Sequence, residues 1–443
     1  MPHCVRNDKV HHIFKTFHPE FRGSLVYLHV RNTKLQKKKM RIHNLTLKNI
    51  GPFKDAYLEF IGANDNIEKP PVIIITGENG TGKTIALDAI RALFYGYLKN
   101  IERDITSSDN FLIEINISLF QQFNLEISGK TKNSQDRIST NNSDFSNLFT
   151  GVASKYKDNF VINYWTSKLS NDKFEIKNIE APETKDFLKD SLSGIHLNTD
   201  VTKLITFFDY LSDSKDDNEK KVGVKVYNII KQIIDQSITD GALSHVSRIK
   251  LQPKISIKGK EISLDKLSSG NLYIIQRFIS LLKQMYAVHI NHGVPIGEIN
   301  QIRGLILIDE AENHLHPKWQ KVFLNNLLKI FPNLQIIITT HSPFIVSSVE
   351  NARIFVCTSE TDYSTIKEET DFYTNKPIEE ILMSPLFNTN NFNAEISELI
   401  SKRKEAITSH DMVTADEIET KLLDINPEYF NYLKIDKLIQ ELQ

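Results

Sequence analysis

Three short apolar runs stand out along the chain. Val72–Thr76, Gly304–Ile308 and Leu334–Thr340 are rich in isoleucine and leucine and carry no charge. That is the pattern of strands buried on both faces. Elsewhere the period changes. Phe111, Ile113, Ile115, Ile117 and Leu119 alternate with other residues, and Phe123, Leu125 and Ile127 do the same, so two half-buried strands are predicted side by side. Arg41–Leu47 reads as a first strand and Tyr57–Phe60 as part of a second, with a turn at Gly51-Pro52 between them. Ile85, Ala89, Ile90, Leu93, Phe94 and Tyr97 fall at helical spacing, as do Leu272, Ile275, Phe278, Ile279 and Leu282. Phe160–Trp165 adds a short strand. Helices are predicted at Val201–Leu211 and Val222–Ile238, and strands at Ile249–Leu251 and Lys254–Lys258, with a turn at Lys258-Gly259-Lys260. The sum is an α/β head with an antiparallel β lobe.

The flanks and inserts differ from this head. Residues 1–39 carry His3, His11, His12, His18 and His29 and then Lys34, Lys37, Lys38 and Lys39. They read as a loose leader, with a metal or nucleic-acid arm as the sharper reading, and the functional domain is expected to begin at Met40. The head is expected to span 40–376. It would carry an insertion at about 130–221 that opens with an Asn/Ser-rich loop and closes with the polar run Ser212–Lys221. Within the insertion, Asp172, Glu175 and Lys177 imitate a metal-dependent nuclease pattern, but charges this close read first as exposed surface. Residues 377–443 are expected to be helical. Pro377 stands at one helix start and Pro385 past its end, with further helices near Ala394–Ile407, Thr414–Leu423 and Tyr432–Leu442. Such helices either pack on the head or bind a partner.

Composition narrows the class. The 443 residues are 40% hydrophobic and 25% charged, with a formal net charge of −1, so no global attraction to nucleic acid or acidic membranes is implied. The two cysteines, Cys4 and Cys357, argue against a disulfide framework and against a cysteine-type zinc site, and fit a reducing cytoplasm. No apolar run approaches the ~18 residues of a membrane span.

The candidate chemistry lies at the ends of the buried runs. Gly77-Glu78-Asn79-Gly80-Thr81-Gly82-Lys83-Thr84 follows the first run and precedes a helix. Its glycines let the backbone wrap a phosphate, Lys83 would reach the β- and γ-phosphates of ATP, and Thr84 would offer its hydroxyl to Mg²⁺. The second run ends in Asp309-Glu310. Asp309 would complete the metal shell opposite Thr84, and Glu310 would polarise an attacking water. The third run delivers His341, where an imidazole would bond the γ-phosphate or position the water. Leu267-Ser268-Ser269-Gly270-Asn271 heads a helix. Ser268 or Ser269 caps that helix, or Gly270 lets an anion approach the backbone.

The order of these four stretches resembles ABC-type ATPases of the SMC, Rad50 and RecF class. That resemblance implies an ATPase head working as a dimer. Each ATP would lie between Lys83 and Thr84 of one copy and Ser269 and Gly270 of the other. Within the class, Met40–Phe53, the Asp309–Pro317 run with its His-Leu-His-Pro, Thr340–Pro343 and Pro377–Phe387 are most similar to the AAA-15/AAA-21-like ATPases of Septu and retron antiphage defence systems. For that family the resemblance implies a separate HNH-type nuclease as effector, with DNA or RNA as a further partner. A RecF-like repair ATPase, an ATP-bound scaffold of slow turnover and a transporter's nucleotide-binding subunit are the alternatives. No sustained heptads and no C-x-x-C lie between Lys83 and Asp309, which removes a long coiled coil with a zinc hook. The glutamine that links lobe to metal in this class has only Gln121 and Gln122 as nominal candidates.

Overall fold

The computed structural model describes residues 40–67, 69–95, 105–118, 122–129, 139–140, 160–166, 174–184, 191–192, 200–387 and 393–433. The leader at 1–39, most of the Asn/Ser-rich loop, Asp172, Gln121 and the last predicted helix beyond Leu433 lie outside them. The chain divides into two compact units after Asn375.

The first unit is built on two sheets with a helix between them. One sheet has strand order β14-β13-β3-β12-β11-β7, from β3 (Val72–Gly77), β7 (Phe160–Trp165), β11 (Arg303–Ile308), β12 (Leu334–Thr340), β13 (Ala352–Ser359) and β14 (Ser364–Glu368). Its neighbours pair in parallel except at the β13–β14 edge. Every residue of β3, β7, β11 and β12 is buried, which accounts for the uninterrupted apolar runs. The other sheet is the antiparallel lobe, order β2-β1-β4-β5-β6, from β1 (Arg41–Ile50), β2 (Phe53–Glu59), β4 (Phe111–Ser118), β5 (Gln122–Gly129) and β6 (Ser139–Thr140). The burial of β4 alternates strictly, as the period of two requires for a sheet with one covered face.

Helix α1 (Lys83–Tyr95) fills the space between the sheets, touching β1, β4 and β5 on one side and β3 and β12 on the other. It is therefore apolar nearly all round, and Leu87, Ile90, Leu93 and Phe94 are fully buried. Each such side chain stabilises the fold by about 1.5–3 kcal/mol relative to exposure. A second tie is polar. The Gln335 side chain of β12 accepts from Ile42 N at 2.7 Å and donates to Ile42 O at 2.8 Å, joining the sheets where the β1–β4 register shifts.

The rest of the unit holds α2 (Val201–Ser212), α3 (Asp217–Ser237), the three-stranded sheet β8 (Gly241–Ser247), β9 (Gln252–Ile257) and β10 (Lys260–Ser263), then α4 (Ser269–His292). Two expectations change here. Ile249–Leu251 is the turn of the β8–β9 hairpin, with Ile249 97% exposed. The strand before it carries no clean period of two, because its pairing shifts between Leu243 and His245 and breaks the alternation. Helix α3 also starts earlier than the apolar period suggests, because the Asp216 carboxylate accepts from the backbone N–H groups of Asn218 and Glu219.

After β11 come the short helices α5 (Pro317–Gln320), α6 (Phe323–Ile330), α7 (Pro343–Val346) and α8 (Thr370–Tyr373). The second unit consists of α9 (Ile378–Leu382), α10 (Ala394–Thr408) and α11 (Met412–Ile425) with a short 3-10 turn at Tyr429–Asn431. Its small core is Ile418, Leu422, Phe430 and Leu433, with Ile396, Leu399, Ile400 and Leu423 packed against it. Among the described residues, no helix is long and apolar enough to cross a membrane.

Candidate nucleotide site

Because β3, β12 and β11 are parallel neighbours, their carboxyl ends lie side by side, with Thr340 opposite Thr76 and Ile338 opposite both Ile74 and Ile308. Ligands of open α/β sheets bind at such ends. The three strands deliver the glycine loop, His341 and Asp309-Glu310 to one place.

The loop turns on Gly77, Gly80 and Gly82, at φ of 145°, 80° and 99°. It is closed by Thr81 Oγ1 donating to Glu78 O at 2.9 Å. Lys83 Nζ folds back over the loop and donates to Gly77 O at 3.0 Å and Glu78 O at 2.7 Å. Burial lowers its pKa, while the carboxylates of Glu312, Asp309 and Glu310 pull the other way. Cys357 itself stays a thiol, its pKa pushed up to about 12 by burial.

Asp309 meets the loop directly. Its Oδ1 accepts from Thr84 Oγ1 at 2.9 Å and from Thr339 Oγ1 at 2.7 Å, and its Oδ2 from Tyr164 OH at 3.4 Å. Glu310 has φ of 52°, in the left-handed region. A non-glycine residue there costs roughly 1–2 kcal/mol. Its N–H donates to Thr339 Oγ1 at 2.9 Å, and its exposed carboxylate accepts from Asn313 Nδ2 at 2.5 Å. His341 is half-buried, and its N–H donates to Glu312 Oε1 at 2.7 Å. Burial first, and the Lys83 charge second, lower its pKa below the usual histidine value. The imidazole is therefore neutral near pH 7 and able to accept a hydrogen bond.

These residues fit a nucleotide triphosphate with a divalent metal. The glycine loop and Lys83 suit phosphate oxygens. Thr84 and Asp309 offer the one or two hard oxygens that Mg²⁺ takes from protein when phosphates and waters supply the rest.

Ser268, Ser269 and Gly270 stand at the start of α4. Ser268 is the N-cap, its Oγ accepting from Asn271 N at 3.3 Å. Gly270 has a local reason to be glycine, since a Cβ there would sit 2.4 Å from His314 O. The close approach expected of an anion is made, within one chain, by that carbonyl. Among the described residues no hydrogen bond joins these three to the phosphate loop.

Several groups at the site were not singled out by sequence reasoning. Glu312 and Asn313 lie inside the run already quoted, two and three residues after Glu310, so their spacing was a usable signal. Thr339 was hidden in an apolar strand. Tyr164 had no signal, because only the pairing of β7 with β11 brings it to Asp309. The backbone of Gln122, the other nominal candidate for the metal-linking glutamine, lies away from the phosphate loop. It pairs with Ser118 at the end of the lobe near Arg41, and Arg41 bonds to Asn333 O before β12, at the opposite end of the sheet from the loop. Glu175 and Lys177 are exposed.

A family model described as "AAA domain, putative AbiEii toxin, Type IV TA system" matches residues 72–347. "Retron Vc95 probable ATPase" of Vibrio cholerae serotype O1 biovar El Tor is 26% identical over 413 residues, covering 76% of this chain and 77% of the relative. "Septu protein PtuA" of Bacillus thuringiensis is 29% identical over 315 residues, covering 69% and 73%. Among solved structures, the SMC head domain from Thermotoga maritima aligns with a TM-score of 0.40 at 15% identity, over 74% of this chain and 98% of that one.

Proposed function

The chain belongs to this AAA family and is an ATPase, and from that premise we propose that it binds Mg·ATP between two copies of itself, hydrolyses it there, and governs a separate nuclease in antiphage defence. The observation that carries the reading is the Thr84–Asp309 hydrogen bond of 2.9 Å, which joins the phosphate loop to the strand end bearing Glu310. Lys83 and the loop amides hold the phosphates. Thr84 and Asp309 hold Mg²⁺, which neutralises charge on the phosphate oxygens. Glu310 accepts the proton of the attacking water, and neutral His341 orients that water or the γ-phosphate. Ser269 and Gly270 of a second copy close over the nucleotide. The order of the four motifs, described above, supports a composite site. Relatives named for a retron and for Septu support the defence setting, and the resemblance described above supports an HNH-type nuclease on its own chain, with DNA or RNA as a further partner.

The test is mass in solution by light scattering for wild type and Glu310→Gln, with and without Mg·ATP, alongside phosphate release. The expected result is a mass that steps up with ATP, most in the variant, and a wild type that releases phosphate. A fixed mass that ignores nucleotide refutes the paired site. A native-host purification in which no nuclease chain accompanies the protein refutes the separate effector.

A further inference from the structure

Glu312 is two residues past the candidate base, yet both of its carboxylate oxygens point elsewhere. Oε1 accepts from His341 N at 2.7 Å, and Oε2 accepts from Thr340 Oγ1 at 2.6 Å. Gln320 repeats the link one step on. Its Nε2 donates to Leu315 O at 2.7 Å and to Glu312 O at 3.4 Å, and its Oε1 accepts from Ser342 Oγ at 2.5 Å. The turn that follows Glu310 is thus bonded to three consecutive residues, 340–342, at the end of β12. The same turn presents His314 O against Gly270, at the head of α4, with no room for a methyl group between them.

We infer that Glu312 is a positioning residue for His341, locking the histidine's main chain to the turn that carries Glu310 so that base and imidazole are held as one body. The inference rests on the roles given above to Glu310 and His341. A carboxylate suits the task because it only accepts, and both neighbours here donate. Leucine would leave both donors without a partner, whereas glutamine would keep one oxygen for His341 N.

The experiment is steady-state ATP hydrolysis by the full chain for Glu312→Leu, Glu312→Gln, His341→Ala and the double variant Glu312→Leu/His341→Ala, with folding checked by circular dichroism. Losing hydrogen bonds to a charged group predicts a kcat for Glu312→Leu lower by about 10- to 100-fold, with KM for ATP within about threefold of wild type. Glu312→Gln should recover most of that rate. In the His341→Ala background Glu312→Leu should cost nothing more. Thr340→Val removes the neighbouring donor of the same clamp and should lower kcat in the same direction, which serves if Glu312→Leu does not fold. Independent losses in the double variant, a KM effect without a kcat effect, or a glutamine variant no better than leucine would overturn the inference. A slow His341→Ala beside a wild-type Glu312→Leu sinks the clamp alone. A His341→Ala with wild-type kcat sinks the histidine's role as well.

Discussion

The glycines of the phosphate loop are not equivalent, and the difference is large enough to measure. At Gly77, φ is 145° and an added Cβ would lie 2.2 Å from Cys357 O and 3.0 Å from Cys357 Cβ. The neighbour cannot yield, because Cys357 is the strand partner of Gly77 in the β13–β3 ladder. Backbone strain of this kind costs roughly 1–3 kcal/mol, and forcing a methyl group into a packed site costs roughly 1–3 kcal/mol more. Gly77→Ala should therefore lose about 2–6 kcal/mol of stability. At Gly80, φ is 80° but nothing lies within 4 Å of the added atom. Gly80→Ala should lose only the left-handed penalty, roughly 1–2 kcal/mol. The assay is urea denaturation of both variants by linear extrapolation, with titration of a fluorescent ATP analogue on the folded protein. Gly77→Ala should unfold at markedly lower urea and bind the analogue poorly, because the loop's first residue has shifted. Gly80→Ala should keep most of both. Equal midpoints for the two variants, or a larger loss at Gly80, would refute the reasoning from the β13 contact.

Other outcomes follow from the same geometry. Glu310→Gln should keep nucleotide binding while phosphate release falls by about 10²- to 10⁴-fold, the usual worth of a general base, and a wild-type rate would remove Glu310 from that role. Gln335→Leu leaves two buried backbone groups of Ile42 without their partners, so it should destabilise by about 2–4 kcal/mol in the same denaturation assay. His341 has a lowered pKa, so its neutral form persists as pH falls through the ordinary histidine range. Its NMR titration midpoint should lie below 6.5, and activity that needs the neutral imidazole should fall at a lower pH than an ordinary histidine would set. Lys83→Met removes a charge that lowers this pKa and should move the midpoint up, and a midpoint that stays put would show that burial alone sets it.

Much of the head was legible in the chain. Residues buried on both faces of a parallel sheet are mostly apolar, so Val72–Thr76, Gly304–Ile308 and Leu334–Thr340 announced themselves as uncharged runs, although β11 itself opens on the buried Arg303 and β12 holds the buried Gln335. The lobe announced itself by alternation, because one face of it is covered by α1. The helix after the loop was legible as a helix but not as one enclosed between two sheets. Where local pattern and pairing disagreed, the pattern misled. The bulge in β8 broke the alternation, and the apolar Ile249 sat in a turn. Cap chemistry at Asp216 moved a helix start beyond what periodicity could reach.

The amino-acid order alone determined the kinds of groups available to a nucleotide: a glycine loop ending in Lys83-Thr84, paired acids after one buried run and a histidine after another. Short-range rules decide these things, since they concern what a backbone and its nearest side chains permit. The tertiary structure alone decided which groups meet. Parallel pairing of β3, β12 and β11 brings Thr84 to Asp309 and adds Thr339, while β7 adds Tyr164 from far away in the chain. The fold also spends the acids Glu310 and Glu312 differently, one exposed toward solvent and one bonded to the main chain of His341. No spacing rule separates those two carboxylates, because the choice is made by donors that arrive from another strand.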